Sequence, residues 1–235
     1  ILNLHNNHYQ STNIQSTLVH AYDSTNVNYL GAVFGSGYTR LRNEFRLRGT
    51  GAEVLEIEVL RGQKEQFFDI FSAMEHEASN TQARTFARGV LSERSQAVFK
   101  GMVSIPPEVP KCNSYLSLHG LLMDKTARFH TIPAMEIANS DVKAGHAATV
   151  SQIDPEAVFY FETRGMTREI ARKLISEGYV QPAIRELADH RLQDLVVSIC
   201  RRQWYGIENS GLELWESEWE RNSEGEDKQF EDEQE

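Results

Sequence analysis

From Tyr29 to about Ile153 the apolar residues come in short runs, among them YLGAVF, EVLEIEVL, QAVFKGMVSI and YLSLHGLLM. Gly, Pro, Asn, Asp and Ser break these runs at short, irregular intervals. Many runs alternate with period two, as in Glu56-Ile57-Glu58-Val59, and are rich in β-branched and aromatic residues, which predicts strands. Many short strands with no helical stretch between them define an all-β body: a sandwich, a barrel or an irregular β-helix. No strict repeat length emerges, which argues against a solenoid with a fixed sequence code. Residues 1–28, rich in Asn, Ser, Thr and His, alternate only weakly. They read as edge strands of the same core or as a loose lead-in.

The period changes at Asp154. Asp154 is a good N-cap, Pro155 suits the first helical position, and Glu156 falls in the positive end of the helix dipole, so a short helix is predicted to about Thr163. Thr167 caps a second, with Ile170, Ala171, Leu174 and Ile175 on one stripe and a stop at Gly178. A third is predicted from about Pro182 to Trp204. The plan is therefore mainly β with a helical C-terminal region: a β core over 1–153, a helical domain over 154–211 and a tail over 212–235.

Composition changes this picture little. With 235 residues, 40% hydrophobic and 25% charged, the chain suits a soluble globular protein. The net charge of −10 sits in the tail: Glu213 to Glu235 hold eleven acids and two bases, which leaves the rest near neutrality. So acidic a segment, with few apolar residues after Trp219, is expected to be disordered. The chain starts at Ile1, not Met, without a signal-type apolar segment, and is read as N-terminally incomplete. No apolar run reaches the roughly 18 residues of a membrane span. Two cysteines without framework spacing, Cys112 and Cys200, fit a reducing, cytoplasmic setting.

Four stretches carry a family resemblance: FRLRGTGAEV, SAMEHEASNTQARTFARGVLSERSQAVFKG, GLLMDKTARFHTIPAMEIANSDVKAGHAATVSQID and FYFETRGMTREIARKLISEGYV. In order and spacing, about Phe45 to Leu187, they resemble the SufB/SufD proteins of iron–sulfur cluster assembly. The resemblance implies a right-handed parallel β-helix followed by a small helical domain. It also implies a non-catalytic scaffold subunit that works with a SufC-type ABC ATPase, held through the helical region. A SufB-type subunit, or a second copy, would pair through the β-helix. SufB-type chains carry a cysteine where Leu118 stands and a glutamate where Ala147 stands, so the chain is SufD-like. It has no GxxxxGK[ST] loop and is expected to lack ATPase activity of its own.

His146 is the leading candidate for a metal ligand, because a neutral imidazole suits iron. The resemblance implies that it faces the SufB partner, so that iron or a nascent cluster would be held across the interface and not stably by this chain. Asp141 is a guess for a nearby ligand. His119 is a weaker metal candidate, pointing away from position 118 on a regular strand. His76 lies between Glu75 and Glu77, which alternation places on the opposite face, and is read as structural. Arg40, Arg42, Arg46 and Arg48 share one strand face, read as the wet side of an exposed strand. Glu56 and Glu58 also share a face and are read as solvated. Paired acids on a β-helix raise the alternative of a carbohydrate-active enzyme. A third reading is a purely structural oligomerisation subunit with no metal role.

Overall fold

A computed structural model describes residues 1–205, as eleven strands followed by three helices. The acidic tail, with Leu212, Trp215 and Trp219, lies outside the described residues. The strands are β1 (Leu2–His5), β2 (Thr12–Ala21), β3 (Asn26–Val33), β4 (Tyr38–Leu47), β5 (Glu53–Gly62), β6 (Phe67–His76), β7 (Gln82–Leu91), β8 (Gln96–Ile105), β9 (Asn113–Leu122), β10 (Arg128–Ile137) and β11 (Lys143–Gln152). Odd-numbered strands form one parallel sheet in the order β1-β3-β5-β7-β9-β11. Even-numbered strands form the other, from β2 to β10. The chain switches sheets at every turn, and each strand pairs with the strand two along. This is a two-sheet parallel β-helix, and the weakly patterned residues 1–28 belong to it.

The missing sequence repeat has a geometric cause. From β4 to β11 every strand is ten residues long, whereas the corners between them run from four residues (63–66) to seven (106–112). Paired residues therefore lie 26 apart at one extreme (Thr12 with Tyr38) and 32 at the other (Gln96 with Arg128). The solenoid is regular in its strands and irregular in its corners, which a search for a fixed period misses.

Between the sheets lies one core, with Leu41, Phe45, Phe68, Ile70, Phe99 and Val103 from the even strands and Tyr29, Val54, Leu60, Ala87, Leu116 and Leu118 from the odd ones. Period two places residues of this parity inside. Glu56 and Glu58 share it with Val54 and Leu60, so they face the core and are fully buried, which overturns their reading as a solvated face. Leu55, Ile57 and Val59 point outward and are buried as well. The arginine stripe does face water. Arg40 pairs with Asp69, Arg46 with Glu75 and Glu77, and Arg48 with Glu77.

After β11 the backbone turns into α1 (Pro155–Glu162), capped by Asp154, whose carboxylate accepts the Glu156 N–H at 2.9 Å. The second helix, α2 (Arg168–Ile184), does not stop at Gly178. Val180 and Ala183 beyond it are buried, and that burial outweighs the roughly 1 kcal/mol an internal glycine costs. Pro182, expected to open the third helix, lies in the last turn of α2. The third helix, α3 (His190–Tyr205), starts after Asp189, whose side chain accepts the Arg191 N–H at 2.8 Å. Residues 1–183 form one compact unit and a second begins at Ile184. Among the described residues no helix is long and apolar enough to cross a membrane.

Candidate functional site

The last coil is built like the ones before it but is covered differently. On β11, His146 pairs in register with Leu116 of β9, which pairs with Thr85, which pairs with Glu56. His146 therefore points to the same inward side as the buried Leu116. One coil back the inward residues Val103, Ile105 and Leu116 are all within 2% of full burial. At the end, Ile137 is 38% and Val150 41% exposed, and His146 is exposed too. Ile132 and Tyr115 add apolar surface on the outward sides. Among the described residues β10 and β11 each carry a strand partner on one edge only. An end that shows core-type side chains and unpaired sheet edges is a surface shaped to be covered.

Nδ1 of His146 lies 3.2 Å from the Met135 thioether on β10. If Nδ1 carries the proton and donates it to sulfur, the lone pair sits on Nε2, where a metal would need it. Ala144 and Ala148, two residues to either side on the same face, leave the imidazole without a bulky neighbour along the strand. Asp141 sits in the corner before β11, where it lines a cavity of about 410 Å³ with Lys111, Cys112 and Lys143. Among the described residues no three His, Cys, Asp or Glu side chains converge as a metal site.

His119 lies on the other face of the sheet. Its Nε2 is 2.7 Å from the Ser117 hydroxyl and its Nδ1 2.5 Å from the Thr149 hydroxyl. Burial, and then the nearby Arg88 guanidinium, hold its pKa below the usual imidazole range. Both nitrogens are engaged, and the structure does not bring His119 and His146 together. His76 is fully buried, 2.7 Å from the Thr81 hydroxyl, and burial lowers its pKa to about 4, so it stays neutral. Glu75 and Glu77 lie on the opposite face, paired to arginine. Cys112 is buried at a corner with its sulfur 3.3 Å from the same Thr81 hydroxyl. Leu118, at the position of the SufB-type cysteine, is fully buried in the core.

Helix α2 rests on the outward face of the odd-numbered sheet beside this end. Arg172 pairs with Asp124 at 2.8 Å, the Ser176 hydroxyl meets the Met123 sulfur at 3.5 Å, and Arg88 donates to the Tyr179 carbonyl at 3.2 Å with its guanidinium over the Tyr179 ring. On α1, Phe159 and Tyr160 are more than half exposed, and Arg164 stacks 3.5 Å from the Tyr160 ring centroid.

The chain is thus a parallel β-helix that ends in an exposed edge bearing His146 and passes straight into helices. Residues 1–179 match the SufBD core domain of the SUF system for FeS cluster assembly, and the chain belongs to that family. Among known proteins it is similar to the iron-sulfur cluster assembly protein SufD of Escherichia coli K12, 26% identical over 166 residues, which cover 71% of this chain and 39% of SufD. It is also similar to a SufBD family protein of Staphylococcus saprophyticus, 27% identical over 166 residues, 71% of this chain and 36% of the relative. A SufBD family protein of Staphylococcus aureus USA300 is 26% identical over 175 residues, 74% of this chain and 38% of the relative. The chain spans about two-fifths of the length of the curated relatives it matches.

Proposed function

We propose that this chain is the β-helix and helical part of a SufD-like, non-catalytic scaffold in cytoplasmic iron–sulfur cluster assembly. Its helical region docks a SufC-type ABC ATPase. The open end of the solenoid pairs with a SufB-type subunit or a second copy, and His146 is the ligand offered to iron or a nascent cluster at that junction. The observation that carries this reading is the set of half-exposed inward residues around His146, where the inward residues of the preceding coil are buried. One imidazole cannot hold a metal firmly, so the partner supplies the remaining ligands. The carbohydrate-enzyme alternative loses its acid pair, because Glu56 and Glu58 lie inside the solenoid where no polymer reaches.

The test uses the full-length parent, co-purified with its SufC-type ATPase and SufB-type partner and assayed for bound iron and cluster transfer. His146→Ala is expected to leave the assembly intact and to strip most of its iron. Iron occupancy and transfer that survive the substitution would leave a purely structural oligomerisation subunit. Failure to capture any ATPase would remove the assembly reading altogether.

A further inference from the structure

The inward residues of β11 concern the end of the solenoid, but its middle holds two buried acids to which the proposed function gives no role. We propose that Glu56 and Glu58 form a proton-binding pair in the lumen that ties the firmness of the β3–β7 coils to pH. Both are buried, at 0% and 1% exposure, and both project inward from β5. Glu56 is well supplied with donors. The Ser72 hydroxyl of β6 donates to Oε2, the Thr85 hydroxyl of β7 donates to Oε2 at 3.0 Å, and the Asn43 amide of β4 reaches Oε1 at 3.5 Å. Glu58 receives one donor, the same Asn43 amide at 2.7 Å on Oε1, and its Oε2 has no hydrogen-bond partner. The Asn43 amide is itself oriented: the Tyr29 hydroxyl of β3 donates to its Oδ1 at 3.4 Å, and Asn3 of β1 donates to Tyr29 at 2.9 Å.

Charge balance decides what such an arrangement holds. The side chains that face the pair are Asn3, Tyr29, Asn43, Ser72 and Thr85. Tyr29 is the one titratable group among them and can add only negative charge. Among the described residues no lysine, arginine or histidine pairs with either carboxylate. Two unpaired negative charges in a dry core are not sustainable. A proton is the economical solution. It belongs on Glu58, whose bare Oε2 can carry it, while the three donors around Glu56 suit the ionised form. Burial pushes Glu56 up to about 7 and, with the Glu56 charge beside it, Glu58 well above the carboxylate range. Gly31 of β3, the register partner of Glu58, makes room for the carboxyl group: a Cβ there would lie 2.1 Å from Oε2.

The sign follows from linkage. Folded values raised above the unfolded ones give stability that is complete below the ordinary carboxylate range and is lost as pH rises through about 7 and beyond. Each acid held protonated in the fold makes the unfolding constant grow about tenfold per pH unit over that window. The experiment is urea unfolding of the full-length protein from pH 5 to 9, beside Glu58→Gln and Glu56→Gln, with infrared spectra of the native state at each pH. Wild type is expected to weaken steeply as pH rises. Glu58→Gln is expected to flatten the profile by about tenfold per unit and Glu56→Gln to flatten it below about 7, and a protonated-carboxyl band at neutral pH is expected to vanish in Glu58→Gln. A profile unchanged by either substitution overturns the proposal. So does stabilisation of wild type by Ca²⁺ or Mn²⁺ that Glu56→Gln abolishes, because the pair would then be a cation site. Should neither variant fold, the infrared band of wild type decides: its absence at neutral pH overturns the proposal.

Discussion

Two glycines and one phenylalanine show how closely single residues are specified in this lumen. Gly89 and Gly120 are register partners on β7 and β9, and the Phe129 ring lies across both. A Cβ on Gly89 would sit 2.2 Å from Phe129 Cε2, and one on Gly120 would sit 2.6 Å from Cγ. Gly120→Ala is therefore expected to destabilise by about 1–3 kcal/mol through overpacking. Phe129→Ala should remove about 3–5 kcal/mol through the cavity it leaves. Because the two positions share one contact, the double variant should lose less than the sum. Chemical denaturation of the four proteins checks all three statements. Glu56 and Glu58 mark the limit of what the sequence discloses at this scale. Alternation in Glu-Ile-Glu-Val announces a strand, but it is symmetric between the two faces. Assigning the acids to water assumed that only one face is dry. On β5 both are, because Leu55, Ile57 and Val59 are buried on the outward side as well. His146 was legible as a candidate through its family-like surroundings. Its inward direction at an open end was not, because that depends on its register with Leu116, a residue 30 positions earlier.

Among the elements, β11 and the helices after it tie the candidate site to the rest of the chain. Asp154 marks the switch, and its cap on α1 was readable because Asp-Pro-Glu states three separate helix-start preferences at once. Asp154→Ala should cost about 1 kcal/mol, seen as a small drop in midpoint with no change in assembly. The end of α2 was misplaced because Gly178 is a stop signal only where nothing beyond it gains by burial, and Val180 and Ala183 do gain. On β11 itself, Val150→Lys puts a charge on the inward face of the open coil. The side chain is 41% exposed, so the isolated protein should fold with near-normal stability. Pairing with a SufB-type subunit or a second copy should fail, which sedimentation of the mixed subunits would reveal. Unimpaired pairing would place the partner elsewhere on the molecule.

Over the whole chain, the order of strands then helices could be read directly from the change of period at Asp154. A sandwich, a barrel and a β-helix remained open on pattern, because all three present short alternating strands and differ only in which strands pair. The family resemblance separated them, and the pairing of each strand with the second one along agrees with it. Regular strands joined by corners of four to seven residues also mean that the chain has two grades of tolerance to length change. One residue added within a strand would exchange the lumen and solvent faces for everything up to the next corner, and would misalign both neighbouring coils. One added at the 106–112 corner would lengthen a bend that already varies from coil to coil. Peptide tags, reporter loops and protease sites therefore belong at the corners, where the chain can be lengthened without moving the register of the strands that carry His146.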